Sequence, residues 1–245
     1  MVPMNTVTLN TATLGTVTLQ SELQAGVLTL TLHRPEKRNA INNDLARALL
    51  AALQQADTDE AIRCVLLRGN GLAFCAGRDV SEAPTEDDLK LTQQVACALV
   101  RCVKPVVAAV HGWTVGAGLE WMLDADIVIA ADTTRFKLPE ASLGVFVTGG
   151  ISALLPAAVG LVRAKAMLLL GEEFSAAQAH AWGLVWAVVP PEELRATALR
   201  HAQHLAGLDP QVVGRFKRVL NTVGLTGFDH AIATESAMQR ELMAR

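Results

Sequence analysis

Val106-Val107-Ala108-Ala109-Val110-His111-Gly112-Trp113-Thr114-Val115-Gly116-Ala117-Gly118-Leu119-Glu120 is an apolar run that empties into a glycine-rich turn and closes on an acid. Lys104-Pro105 opens it as a strand over 106–110, and a short helix follows to about Asp124. Small residues at 116–118 let a ligand approach the backbone. The N–H groups at that helix start lack internal partners, so an oxygen gaining negative charge is stabilised there. A dinucleotide-binding turn is the competing reading, because Gly116 and Gly118 precede an acid near position 140. Its third glycine falls on Trp121, and about ten residues reach the next strand, Asp126 to Ala130, too few for a Rossmann crossover.

Working outward, alternation over Thr16–Glu22 and Val27–Leu32 around Gly26 predicts a β-hairpin ended by Arg34-Pro35. Asn43-Asp44 caps a predicted helix to about Asp57, with Leu45, Leu49, Leu50 and Leu53 on one face. Cys64–Leu67 reads as a buried strand, Gly69-Asn70-Gly71 as a turn, 79–85 as a loop and Glu86–Cys102 as a helix. From Gly149 helices dominate, with one strand at Leu184–Val189. Pro190-Pro191 divides a core over 1–190 from a helical region over 191–245, with helices near 192–206, 211–221 and 229–244. Strand–turn–helix units with a helical tail predict an α/β protein.

The 245 residues are 51% hydrophobic, enough for a sizeable core, and carry a formal net charge of −3. That balance gives no electrostatic case for nucleic acid or an anionic membrane. Four cysteines and six histidines show no metal-ligand spacing, so no metal site is expected. Cys64 and Cys97 sit in apolar runs and read as core thiols. The first twenty-one residues lack Lys, Arg, Asp and Glu, unlike a secretory or transit leader, and no apolar run is long enough to span a bilayer. A reducing cytoplasm is the expected compartment.

The chemistry gathers on two acids. Glu120 closes the glycine turn, and Glu140, twenty residues on, closes Phe136-Lys137-Leu138-Pro139-Glu140 ahead of Thr148-Gly149-Gly150. A second glycine loop, Leu72-Ala73-Phe74-Cys75-Ala76-Gly77-Arg78-Asp79, follows the strand at 64–67. One N–H from each loop converging on one oxygen would make an oxyanion hole. Each acid also has a structural reading, Glu120 favoured by the helix dipole and Glu140 capping a loop. Asp79 and Asp126 read as scaffold, and His111 as a satisfied structural histidine.

Taken together, Arg34-Pro-Glu-Lys-Arg-Asn39-Ala40, Phe74-Cys-Ala-Gly-Arg-Asp79, Lys104-Pro105, Ala108-Ala-Val-His-Gly-Trp113, Gly116-Ala-Gly-Leu-Glu120, Ala125-Asp126 and Leu138-Pro-Glu140 resemble the enoyl-CoA hydratase/isomerase, or crotonase, superfamily. Ala176–Val185 and Phe216–Leu220 extend the likeness, which covers about residues 16–240 in order. The resemblance implies a crotonase-like spiral of ββα units, with the C-terminal helices used for trimerisation as a homotrimer or dimer of trimers. It also implies an acyl-CoA thioester substrate and no separate cofactor. The N–H groups of Arg78 and Ala117 would form the oxyanion hole, and Glu120 and Glu140 would be catalytic. Arg34, Lys37, Ala40, Ala76, Gly77, Asp79, Val80, Trp113, Gly116, Pro139 and Gly144 would contact substrate, with Arg34, Lys37 and a neighbouring subunit's Lys217 as candidates for the CoA phosphates.

The chain departs from the family pattern in places. Ala117 replaces the usual middle glycine, Trp121 is larger than usual, and the segments 140–150 and 79–104 are short. The expected activity is 2-enoyl-CoA hydration. The alternatives are Δ3-Δ2 enoyl-CoA isomerisation or other acyl-CoA chemistry, and, from another class, a non-catalytic CoA-binding or RNA-binding member.

Overall fold

The computed structural model describes residues 16–81 and 85–244. The readings of the first fifteen residues, of 82–84 within the loop before the second helix, and of Arg245 fall outside them. Strand β1 (Leu19–Gln24) pairs antiparallel with β2 (Val27–Leu32), from Gln24↔Val27 to Leu19↔Leu32. The strand starts and ends later than the alternation suggests. Ala25 and Gly26 both adopt positive φ, 50° and 79°, so a two-residue turn sets the register and Gln24 belongs to the ladder.

The main sheet continues in parallel through β3 (Cys64–Gly69), β4 (Val106–Val110), β6 (Ile127–Ala131) and β9 (Ala187–Val189), in the order β1-β2-β3-β4-β6-β9. Only the end of the run expected at 184–189 is strand. A smaller sheet holds β5 (Trp113–Val115), β7 (Arg135–Lys137) and β8 (Phe174–Ser175). Single bridges Ile41↔Arg78 and Cys75↔Thr114 extend this second layer. After a strand of the large sheet the chain steps through the small layer and then forms a helix. Helices α1 (Asn43–Thr58), α2 (Glu86–Arg101), α3 (Ala117–Leu123) and α4 (Glu140–Leu143) each close such a turn. The expected spiral of ββα units is therefore present.

Local chemistry sets the helix starts. Asn42, one residue before the predicted cap, is extended and its side chain accepts from Leu45 N at 3.0 Å. Thr85 and Asp88 form a reciprocal capping box on α2. Cys64 is fully buried, whereas Cys97 is only half-buried, because Val95, Ala96, Leu99 and Val100 take the inner face of α2. Cys75 and Cys102, not singled out by the sequence, are the other buried thiols.

Five helices complete the main body: α5 (Ile151–Val159), α6 (Leu161–Leu170), α7 (Ala176–Ala181), α8 (Pro191–Gly207) and α9 (Pro210–Gly224), with α10 (Phe228–Met243) last. Pro191 starts α8 at the predicted boundary, and Leu194, Ala198, Ala202 and Ala206 lie on the sheet against Val27, Cys64, Leu66, Val107, Ala109, Ile129 and Ala131. The other sheet face packs against α1, α2 and α3 through a larger cluster that includes Leu45, Leu49, Leu99, Leu119 and Trp121. Burial on both faces explains the unbroken apolar run of β4. Among the described residues no helix is long and apolar enough to cross a membrane.

Candidate active site

The two glycine loops lie side by side. Cys75 N donates to Trp113 O and Val115 N donates to Cys75 O at 3.0 Å, so the loop after β3 runs in register with β5. Gly77 holds φ +89°, and a Cβ on it would lie 2.8 Å from Val115 O and 3.7 Å from Ala117 N. Only glycine permits that approach. Neither Arg78 N nor Ala117 N donates to a protein acceptor among the described residues. The Arg78 guanidinium is turned aside into a 2.8 Å ion pair with Asp88, leaving its N–H as the group offered to the site.

Glu120 is carried on the first turn of α3 and is 3% exposed. Its carboxylate accepts from Thr148 N at 3.1 Å and from Gly149 N. Burial first, then repulsion from Glu140 and Glu235, pushes its pKa up to about 8 against the pull of those two amides. Glu140 begins α4 and is also buried. Burial lifts it to about 7, and among the described residues its Oε2 has no hydrogen-bond partner. Gly116, at φ +53°, makes room for it, since a Cβ there would sit 2.6 Å from Glu140 Oε1. Asp124, at the end of α3, is likewise buried and held well above the usual carboxylate range by burial and by Glu120 and Glu235.

A cavity of about 500 Å³ has both glutamates, Arg78 and Ala117 on its wall. Ala76, Gly77, Asp79, Val80, Gly116 and Pro139 line it as well. Trp113, Ala40 and Gly144 are not on that wall. Trp113 lies at the exposed start of β5, and Gly144 is the left-handed cap of α4. Lys37 is exposed in the short turn after β2.

Two of the CoA-phosphate candidates are committed elsewhere. Arg34 donates to Ala40 O and to Asp79 at 2.9 Å, so its charge is spent on the loop that carries Arg78. Lys217 is 8% exposed and bonds Asp126 at 2.7 Å, Leu99 O at 3.1 Å and Lys104 O at 3.3 Å within its own chain. All three of its donors are used, so it cannot extend to a neighbouring subunit's phosphate. The scaffold readings agree with the geometry. Asp79 accepts from Ser81 and Arg34, Asp126 accepts from Val106 N at 2.7 Å, and His111 Nε2 meets Gly71 O at 2.9 Å.

Sequence reasoning overlooked one wall of the cavity. Gln239 and Met243 of α10 complete it together with Val145, Phe146 and Thr148. The signal was there to find, because Glu235 and Gln239 occupy the same helix face as Phe228 and Ala231, where a core-facing stripe should be apolar.

Two loops whose Arg78 and Ala117 amides lack protein acceptors, on one cavity wall with carboxyls pushed up to about 8 and 7, can polarise a thioester carbonyl and move protons at its neighbouring carbons. A profile of the family described as enoyl-CoA hydratase/isomerase matches residues 22–245. The chain is 37% identical over 230 residues to a 1,2-epoxyphenylacetyl-CoA isomerase of Escherichia coli, covering 90% of this chain and 88% of that protein. It is 39% identical over 202 residues to a 2,3-dehydroadipyl-CoA hydratase of the same organism, covering 80% and 79%. A solved enoyl-CoA hydratase from Mycobacterium avium subsp. paratuberculosis superposes with a TM-score of 0.88 at 31% identity, over 93% of this chain and 91% of that one. Sequence, spiral fold and site agree, and the chain belongs to the enoyl-CoA hydratase/isomerase family of the crotonase superfamily.

Proposed function

We propose that this protein is a 2-enoyl-CoA hydratase, with the CoA thioester as substrate and no separate cofactor. The observation that carries the reading is the placement of Glu120 and Glu140 on one cavity wall with Arg78 and Ala117. The thioester oxygen accepts hydrogen bonds from the Arg78 and Ala117 N–H groups, which draws electron density from the double bond and makes the β-carbon electrophilic. One carboxylate takes a proton from water as the water oxygen bonds to that carbon. The other carboxyl gives a proton to the α-carbon as the enolate collapses, yielding the 3-hydroxyacyl thioester. Two acids that titrate near neutrality and repel one another share these roles, so apparent values belong to the pair.

Replacing Glu120 or Glu140 with Gln tests this. Hydration of a short 2-enoyl-CoA falls roughly a hundredfold to ten-thousandfold for each. Retention of wild-type turnover by both variants contradicts the proposal. The family's description as hydratase/isomerase supports a second reading, Δ3-Δ2 enoyl-CoA isomerisation, in which one glutamate shuttles a proton between carbons. In that case one of the two substitutions leaves turnover intact.

Self-association as a homotrimer or a dimer of trimers belongs to the same proposal. Val212, Phe216, Val219, Leu220 and Val223 of α9 are all exposed and recur at helical spacing on one face. A cytoplasmic location is proposed from the four unpaired cysteines, three of them buried with thiols pushed up to about 12.

A further inference from the structure

The carboxylate of Glu235 is almost completely enclosed, yet it belongs to the last helix and lies outside the proton-transfer pair. Its Oε2 accepts from Gly150 N at 2.7 Å and its Oε1 from Ser152 N at 2.8 Å, so it fills the anion position at the N-terminus of α5. Immediately upstream, Thr148 N and Gly149 N turn the other way and hold Glu120. Five residues thus offer four amides to two carboxylates on opposite sides of one turn. Gln239, one helical turn beyond Glu235, takes a fifth amide, Phe146 N, at 2.7 Å. At the start of α10, Phe228 packs so closely on Gly150 that a Cβ there would meet its ring at 2.3 Å. Phe228, Glu235 and Gln239 therefore clamp the segment 146–152 from one helix face.

We propose that Glu235 is a positioning residue for hydration, acting through the 148–152 turn to set the place and the proton affinity of the Glu120 carboxyl. The inference rests on Glu120 being catalytic, as in the proposed function. Two of the turn's amides, Gly150 N and Ser152 N, depend on Glu235, while Phe228 against Gly150 and Gln239 on Phe146 N hold its flanks. Losing the Glu235 acceptors frees the turn to rotate, and a displacement of about 1 Å at a proton-transfer group is worth about a hundredfold in rate. The titratable groups around Glu120 are Glu140 on α4 and Glu235 on α10, which push it up, and Asp124 on α3, which Glu120 itself pushes up.

Glu235→Gln preserves shape but leaves an amide NH₂ facing one of the two backbone N–H groups. In steady-state hydration of a short 2-enoyl-CoA, kcat is expected to fall roughly tenfold to a hundredfold while KM stays within about threefold. The limb of the kcat–pH profile set by the Glu120–Glu140 pair moves with it, a change that loosened packing alone does not produce. Arg240→Ala is the control. It removes the bidentate contact of α10 with Glu86, away from the turn, and leaves kcat and the pH profile unchanged. If Glu235→Gln keeps kcat within twofold and the profile in place while Glu120→Gln is inactive, the positioning role is wrong and the proposed function survives. If Glu120→Gln is itself active, the functional reading fails first. Should Glu235→Gln not fold, Ser152→Ala and Ser152→Pro are compared, because only the proline deletes the amide that Glu235 accepts. Wild-type kcat in both members of that pair also overturns the proposal.

Discussion

At Ala117 a methyl group stands where the family resemblance leads one to expect a glycine, and the N–H is unaffected by it. That N–H begins α3 without an internal partner, so its loss should be felt in turnover. Ala117→Pro deletes the donor and is expected to lower kcat roughly a hundredfold to a thousandfold, while Ala117→Gly stays near wild type. Equal, mild losses in stopped assays of the two variants would remove that N–H from the reaction. Glu120 gives a second residue-scale prediction. Its ordinary value is 4.5 and its value in the fold is about 8. Between those points the native chain holds a proton that the unfolded chain has released. The stabilising contribution is therefore complete below about pH 4.5 and disappears as pH rises through about 8. Glu120→Gln should flatten that decline, so its urea midpoint exceeds wild type at about pH 8 and the gap narrows toward about pH 5. An unchanged difference across that range would show that Glu120 ionises normally.

At the scale of elements, the parts legible in the sequence are those whose chemistry is local. The glycine turns, Glu120 and Glu140 announced themselves through spacing, and Asp126 was read as scaffold, which its bond from Val106 N supports. Arg34 and Lys217 did not, because their partners lie forty-five and ninety-one residues away, at Asp79 and Asp126. A basic side chain with an unseen partner looks like an anion contact. Lys217 in fact ties α9 to the end of α2 and the start of β4, and its removal takes a buried ammonium away from Asp126 and two backbone carbonyls. Lys217→Ala is expected to destabilise the fold by about 1–3 kcal/mol, read by denaturant unfolding, with little change in KM for acyl-CoA. A large rise in KM at unchanged stability would restore the phosphate-contact reading. Glu235 and Gln239 were hidden for a different reason. Their break in the apolar stripe of α10 marks them as unusual, but nothing nearby in sequence names the amides that donate to them.

For the whole molecule, the spiral was implied by the resemblance of the motifs to a known family, whereas the residues alone read as strand–turn–helix units with a helical tail. What the sequence could not state is how the last helices return. α8 seals the far face of the sheet with alanines at every fourth position, and α10 comes back to finish the cavity wall. Between them α9 leaves its apolar face uncovered, and a second copy of the chain is the proposed cover. Phe216→Asp places a charge in the middle of that face and is expected to shift the mass seen by sedimentation from an oligomer to a monomer. An assembly untouched by that substitution would locate the interface elsewhere.

The reaction itself is open to one direct reading. A 2-enoyl-CoA incubated with the protein in heavy-oxygen water, and separately in deuterium oxide, is followed by mass spectrometry of the thioester product. Two acids working with two amides on one substrate predict a 3-hydroxyacyl thioester bearing the heavy oxygen on its β-carbon and one deuterium on its α-carbon. A product that gains deuterium without oxygen, as when a double bond merely moves, would contradict the account.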